Sequence, residues 1–334
     1  MKNKFLEELI DKYGEEISIS KHTEGVPVIS TGSLAMDVST GIGGVPRGRI
    51  TEIYGPEGGG KTTICLHLSK NAIAQGSKVL YVDVENSLDF GYVEDVFGFE
   101  PNEELFIVVQ PASGEDALEI AEAGIDNGFS LVIFDSIAAI SPEKELEDPF
   151  DKDHVGLTPR LASKFLRRQG SNINKKNVAM VFTNQVRANI GSYLGDLTTP
   201  AGHALKHYTS LRIYTAYGGK IEEPKGNYIG QWLSFIIKKN KMARPYRAAK
   251  SVLIYGKGID YCRYAIAFGS LLGVVKTRGS YYVFEDETIG LGMAKSANAL
   301  RENQELLDKI ANACYNAIGI GPKQEEVENE ESDG

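Results

Sequence analysis

Apolar residues along the chain follow two different periods. Near-continuous runs recur at Val79-Leu80-Tyr81-Val82, Leu131-Val132-Ile133-Phe134 and Val178-Ala179-Met180-Val181-Phe182. Each is bounded by polar residues, so residues 78–85, 131–136 and 178–185 are expected as strands buried on both faces. Between them apolar side chains return at helical spacing, at Ile64, Leu68, Ala72 and Ile73 and again over residues 115–127. Strands and helices that alternate in this way predict an α/β chain with a mostly parallel, helix-covered central sheet. Glu85, Asp135 and Gln185 fall at the carboxyl ends of these strands, where open α/β sheets hold their ligands.

The two ends of the chain read differently. Phe5, Leu6, Leu9, Ile10 and Tyr13 share one helical face, and Ile17 and Ile19 alternate with serines as in a short strand. So short a segment cannot bury such a face alone. Residues 1–27 are therefore expected to form an arm, docked either on the chain's own core or on a second copy. Residues 28–256 make the core, with further strands at 210–215, 231–238 and 251–255. From residue 257 helices surround a hairpin (274–276 and 280–284), a small C-terminal α/β domain reaching to about residue 321. The acidic residues 322–334 are expected to be disordered. Two stretches lack any period: residues 146–156, densely charged, and residues 185–200, rich in Gly, Ser, Thr and Asn. Loops of that length in a core are functional or disordered as a rule. Thr158-Pro159 follows the first and predicts a helix with Thr158 as cap and Pro159 at its first position. Arg160, Lys164, Arg167 and Arg168 make one face of that helix basic, which on its own is the usual look of a solvated face.

The chemistry concentrates in Gly55-Pro56-Glu57-Gly58-Gly59-Gly60-Lys61-Thr62-Thr63. Gly55, Gly60, Lys61 and Thr62 fill the P-loop pattern G-x-x-x-x-G-K-[ST], placed between a strand and a helix as that motif requires. Glycines let backbone N–H groups converge on phosphate, and the helix start adds its unpaired donors. Lys61 is expected to reach the β- and γ-phosphates of ATP, and the Thr62 hydroxyl to hold Mg²⁺. Asp135 suits the Walker-B role of ordering Mg²⁺ through water. Glu85 is either the base or orienter for an attacking water or a solvated strand-end charge. Gln185 is placed to sense the γ-phosphate and switch the loop that follows it.

Composition narrows the classes. The chain of 334 residues carries a net charge of −9, and residues 323–334 hold six acids and one lysine. A nucleic-acid site must then be a local basic patch and not a global field. No apolar run of about 18 residues and no signal core is present, so a cytoplasmic protein without membrane contact is expected. Cys65, Cys262 and Cys314 are widely spaced, without metal-ligand spacing, and are expected reduced and buried.

Taken in order, these motifs resemble the bacterial and phage RecA-type recombinases over residues 28–320, nearly the whole chain. The specific pieces are Ile29-Ser30-Thr31-Gly32-Ser33-Leu34, Glu52-Ile53-Tyr54-Gly55-Pro56-Glu57, Asp83-Val84-Glu85-Asn86-Ser87-Leu88-Asp89, Asn184-Gln185-Val186-Arg187, Ala204-Leu205-Lys206 and Lys239-Asn240-Lys241. The resemblance implies an ATP-dependent homologous recombinase. Such a protein forms a helical filament on single-stranded DNA, pairs it with homologous duplex and exchanges strands while hydrolysing ATP. It implies that Glu85 activates the hydrolytic water and that Gln185 senses the γ-phosphate. Asp89, Tyr92 and Tyr255 would border the nucleotide, and Lys239 and Lys241 would reach ATP bound to an adjacent copy. The loops at 146–156 and 185–200 would bind DNA, with phosphate contacts from Arg160, Arg167, Arg187, Lys206 and Arg212 and apolar wedges from Val155 and Ile190. The chain departs from the family pattern at Gly58-Gly59, where many relatives carry serines, and at His207, where an aromatic ring is usual. Val155 is shorter than the methionine often found there, and the arm is shorter than usual. Two other functions stay open at this stage: a ring-forming helicase or motor of the same core fold, and a nucleotide-switched DNA-binding scaffold without strand exchange.

Overall fold

A computed structural model describes residues 25–149, 156–188, 197–200, 202–223 and 226–318. Residues 1–24 of the expected arm, Val155, Ile190 and the acidic tail lie outside the described residues. Among the described residues the central sheet has nine strands: β1 (Arg49–Gly55), β2 (Val79–Asp83), β3 (Phe106–Val109), β4 (Leu131–Asp135), β5 (Ala179–Gln185), β6 (Leu211–Glu222), β7 (Tyr228–Asn240), β8 (Ala248–Ile254) and β9 (Gly258–Ile259). Their order is β9-β8-β7-β6-β1-β5-β4-β2-β3. All pairings from β6 to β3 are parallel, and β6 to β9 add an antiparallel extension. The sheet is thus mostly parallel, as the apolar runs predict.

Period-2 geometry sends alternate residues of each strand to opposite faces. In β2, Val79 and Tyr81 join one buried cluster while Leu80 and Val82 join the other. In β4, Ile133 and Phe134 divide in the same way. Burial on both faces explains why these runs are apolar throughout. Helices Lys61–Ala74 and Phe90–Phe97 cover the first face, and Gly114–Asp126 and Leu157–Lys175 cover the second. The apolar period does not mark helix Phe90–Phe97 or edge strand β3. Their local signals are Asp89, whose carboxylate caps the helix by accepting from Tyr92 N at 2.7 Å, and Gly98 in the left-handed conformation (φ 74°) at its end.

One expected helix start is corrected. The helix begins at Leu157, not Pro159, and its cap is Gly156 at φ 86° with no side-chain cap bond. Thr158 lies inside the first turn, where its hydroxyl donates to the Ile140 carbonyl at 3.4 Å. Proline is tolerated anywhere in that first turn because its missing N–H has no helical partner there. A short helix, Glu143–Glu147, overlaps the start of the charged stretch before it.

Beyond β9, helix Tyr261–Leu271 leads into an antiparallel sheet of β10 (Val275–Arg278), β11 (Tyr281–Phe284) and β12 (Glu287–Leu291), then helices Gly292–Glu302 and Gln304–Ala317. The hairpin read from sequence is therefore three-stranded. β12 escapes the pattern because Glu287 and Thr288 face solvent. The unit's apolar residues Ala265, Ile266, Leu300, Ile310 and Cys314 belong to the same buried cluster as Ile53 and Leu68. Cys65, Cys262 and Cys314 are all buried free thiols.

Candidate active site

At Gly55, the last residue of β1, β6 comes so close that a Cβ would lie 1.9 Å from the Thr215 carbonyl oxygen. Glycine alone fits. The loop then runs to Gly60 in the left-handed conformation (φ 74°), which opens helix Lys61–Ala74 without a side-chain cap. The first-turn N–H groups of that helix and its dipole are thereby left to an anion. Lys61 Nζ folds over the loop, donating to the Gly55 and Pro56 carbonyls at 3.2 and 3.0 Å. Burial lowers its pKa from the ordinary lysine value, against the pull of Asp135 and Glu85.

A pocket of about 370 Å³ opens over this loop. Glu57, Gly58, Gly59, Gly60, Lys61, Thr62 and Thr63 form its floor, and Glu85, Asp135 and Gln185 one wall. Gln231, Leu253 and Tyr255 form the opposite wall. The floor meets the first wall because register places Gly55 beside Gln185 and Asp83 beside Asp135 at the carboxyl ends of parallel strands. Asp135 is buried and accepts from Thr62 Oγ1 at 2.9 Å, and from the Tyr81 and Thr183 hydroxyls. Burial raises its pKa, with those hydrogen bonds opposing. Glu85 is exposed at the pocket, where it accepts from Ser136 Oγ and, at 3.4 Å, from Gln185 Nε2. The turn that presents Glu85 is tied down by the buried Asp83 carboxylate, which accepts from Ser87 N, Leu88 N and Gln110 Nε2 at 3.3, 3.1 and 3.0 Å. On the far side of the helix start, Tyr92 shares a 2.7 Å hydrogen bond with Thr63 Oγ1.

The comparisons with known proteins agree with this geometry. Residues 3–260 match the RecA N-terminal domain and residues 265–319 the RecA C-terminal domain. Protein RecA of Arthrobacter sp. (strain FB24) is 38% identical over 309 residues, covering 92% of this chain and 87% of the relative. Protein RecA of Acidothermus cellulolyticus is 39% identical over 300 residues, covering 89% and 86%. Protein RecA of Lactococcus lactis subsp. cremoris (strain MG1363) is 37% identical over 311 residues, covering 92% and 80%. The chain belongs to the RecA family. With membership goes the family's function: a DNA-dependent ATPase of homologous recombination and repair that binds ATP with Mg²⁺, binds DNA and self-associates.

Several other residues named from the RecA resemblance gather around Glu52, a few positions back along β1 from the P-loop. Lys239 pairs with Arg212, which pairs in turn with Glu52 inside β1. Lys239 Nζ donates to the Lys206 and His207 carbonyls at 2.6 and 3.0 Å, closing the carboxyl end of helix Gly202–Tyr208. Its pKa is lowered by burial and then by the neighbouring Lys241 and Arg212 charges. Lys241 is exposed just beyond the strand. Arg212 is largely buried: Nε donates to the wholly buried Glu52 at 2.5 Å, and the guanidinium lies 4.4 Å from the Tyr54 ring centroid. Glu52 also accepts from Asn184 Nδ2 at 2.9 Å. That amide donates in addition to the Pro200 carbonyl at 3.1 Å, while its oxygen accepts from Gln185 N at 3.0 Å. Arg160, Arg167 and Arg187 are exposed, and Lys206 is half-buried. Gly170 leaves room for the Tyr208 ring, and Gly202 faces Pro159, so helices Leu157–Lys175 and Gly202–Tyr208 lie side by side. Arg168, part of the expected basic face, instead reaches Glu122 on the neighbouring helix at 2.8 Å.

Sequence reading passes over Tyr81, Thr183, Ser136, Thr215 and Gln231, all within reach of the pocket or its loop. Tyr81 and Thr183 carry a usable signal: each is a polar-tipped residue two positions before a strand's last polar residue, hence on one face with it. Thr215 and Gln231 carry none, because only the β6-β1 and β6-β7 pairings bring them to the loop.

Proposed function

We propose that this chain couples ATP hydrolysis to single-stranded DNA through Gln185, and that a second copy completes its ATP site. The observation that carries the reading is the double attachment at Gln185. Its side chain reaches Glu85 in the pocket, and its backbone N–H is held by Asn184, which also grips Pro200 at the far end of the irregular loop. A change at the γ-phosphate that moves Gln185 therefore pulls on both ends of the loop assigned to DNA. Lys61 and the loop N–H groups bind the phosphates, and Tyr92, Asp89 and Tyr255 border the adenosine. Glu85 takes the proton of the attacking water while Gln185 orients it. Thr62 and Asp135, a hydroxyl and a buried carboxylate, fit Mg²⁺ held mainly by phosphate and water, which supplies charge neutralisation there.

Lys239 and Lys241 do not line their own chain's pocket, and Lys239 Nζ is committed to the Lys206 and His207 carbonyls. Lys239 lies eight positions along β7 from Gln231 at the pocket wall, roughly 26 Å at a strand's rise per residue. Their role at ATP requires another copy stacked head to tail, an interface that propagates into a filament. Arg160, Arg167, Arg187 and Lys206 then supply phosphate contacts beside the two loops, with Val155 and Ile190 as wedges. Arg212 acts through Glu52, holding Asn184 in place. Three buried free thiols fit work in the reducing cytoplasm.

Mixing variants tests the shared site. Glu85→Ala and Lys241→Ala proteins are each expected to be inactive alone. In an equal mixture on single-stranded DNA, about a quarter of the sites regain an intact pair by random stacking. Activity in the mixture no greater than in either variant contradicts the shared site.

A further inference from the structure

We infer that Thr215 and Gln231 are positioning residues for the phosphate loop, a proposal that rests on reading residues 55–63 as the phosphate cradle. The loop places three glycines in succession, Gly58, Gly59 and Gly60, and Gly58 (φ 69°) has nothing within 4 Å of where a Cβ would point. Such a backbone is free to turn its peptide planes. A cradle for phosphate needs those planes fixed in advance, because donors that must reorganise contribute less.

Two side chains from neighbouring strands supply the restraint. Thr215 of β6 is wholly buried, and its Oγ1 donates to the Gly59 carbonyl at 2.7 Å. Gln231 of β7 donates from Nε2 to the Gly58 carbonyl at 2.9 Å. In a trans peptide the C=O and N–H point in opposite directions. Holding the Gly59 oxygen against β6 therefore turns the Gly60 N–H away from β6, into the loop. Holding the Gly58 oxygen does the same for the Gly59 N–H, which closes the loop on the Pro56 carbonyl at 3.2 Å. The absent side chain at Gly59 matters here too: its Cβ would meet Thr215 Oγ1 at 3.2 Å. Glycines in the loop and polar groups on the strands thus fit one another. The stiffness that the loop's own residues lack is provided from outside.

The test measures affinity for ATP, ADP and AMP in the full-length protein and in Thr215→Val, Thr215→Ser, Gln231→Leu and Lys61→Ala. Loss of one such hydrogen bond weakens ATP and ADP binding by about five- to tenfold. AMP, which lacks the phosphates seated in the loop, keeps its affinity, and Thr215→Ser restores ATP binding. Equal losses for AMP, or ATP and ADP affinities unchanged in both Thr215→Val and Gln231→Leu, overturn the inference. The Lys61→Ala protein separates the two levels. If it binds ATP as the parent does, the phosphate-loop reading itself fails; if it loses ATP while the other variants do not, only the positioning role fails.

Discussion

Asp37 is wholly buried beneath the strand-and-turn segment of residues 28–33, where it accepts from Ser30 Oγ and from Thr31 N and Oγ1 at 2.5, 2.9 and 2.7 Å. Burial outweighs those bonds and pushes its carboxyl up to about 7 from an ordinary 3.8. Between those two values the folded chain holds a proton that the unfolded chain lacks. The group's stabilisation is therefore full below the unfolded pKa and is lost as pH rises through about 7. Asp37→Asn is expected to melt higher than the parent at pH 8, with a difference that shrinks toward pH 5; thermal melts across that range check it. Arg212 offers a second test at this scale. A side chain committed to Glu52 and Tyr54 contributes nothing to counterion release, so Arg212→Ala should leave the salt slope of DNA binding unchanged while lowering DNA stimulation of hydrolysis. Arg187→Ala should instead reduce that slope by about one ion. A reduced slope in Arg212→Ala would restore it as a phosphate contact.

Among the elements, the strands that lead to Glu85, Asp135 and Gln185 are legible in sequence because each is a local apolar run ending in polar residues. Their helices follow from an equally local period. Sheet order is not local. Glu52, Asn184 and Arg212 lie far apart in sequence, and only the β6-β1-β5 neighbourhood makes them one cluster. The same holds for Thr215 and Gln231 at the phosphate loop. Edge strand β3, with Ile107 exposed, and helix Phe90–Phe97 are too short for periodicity to distinguish from loops. The closeness of β6 to β1 also has a direct consequence. A methyl group on Gly55 would meet a backbone oxygen at 1.9 Å, which no side-chain rotation relieves. Gly55→Ala should cost about 3 kcal/mol or more and lower the melting temperature together with ATP binding. A variant that melts and binds ATP like the parent would show that the two strands can part without cost.

At the scale of the whole molecule, β7 runs from the phosphate loop to the residues proposed to meet the next copy. Gln231 stands at the chain's own phosphate loop, with Lys239 at the far end of the same strand and Lys241 just beyond it. Bonded to β6 on one side and β8 on the other, β7 would link consecutive sites stiffly in the proposed stack. With a net charge of −9, the chain's attraction for DNA is expected to be local, at the loops proposed to bind it, and affinity for single strands should fall steeply between low and physiological salt. The most direct measurement is ATP hydrolysis without DNA, with single-stranded DNA and with duplex, for the parent, Lys61→Ala and Glu85→Ala. Strong stimulation by single strands, lost in both variants, is the predicted result. Hydrolysis that is indifferent to DNA, or that survives in Glu85→Ala, would contradict the coupling of pocket and loop through Gln185.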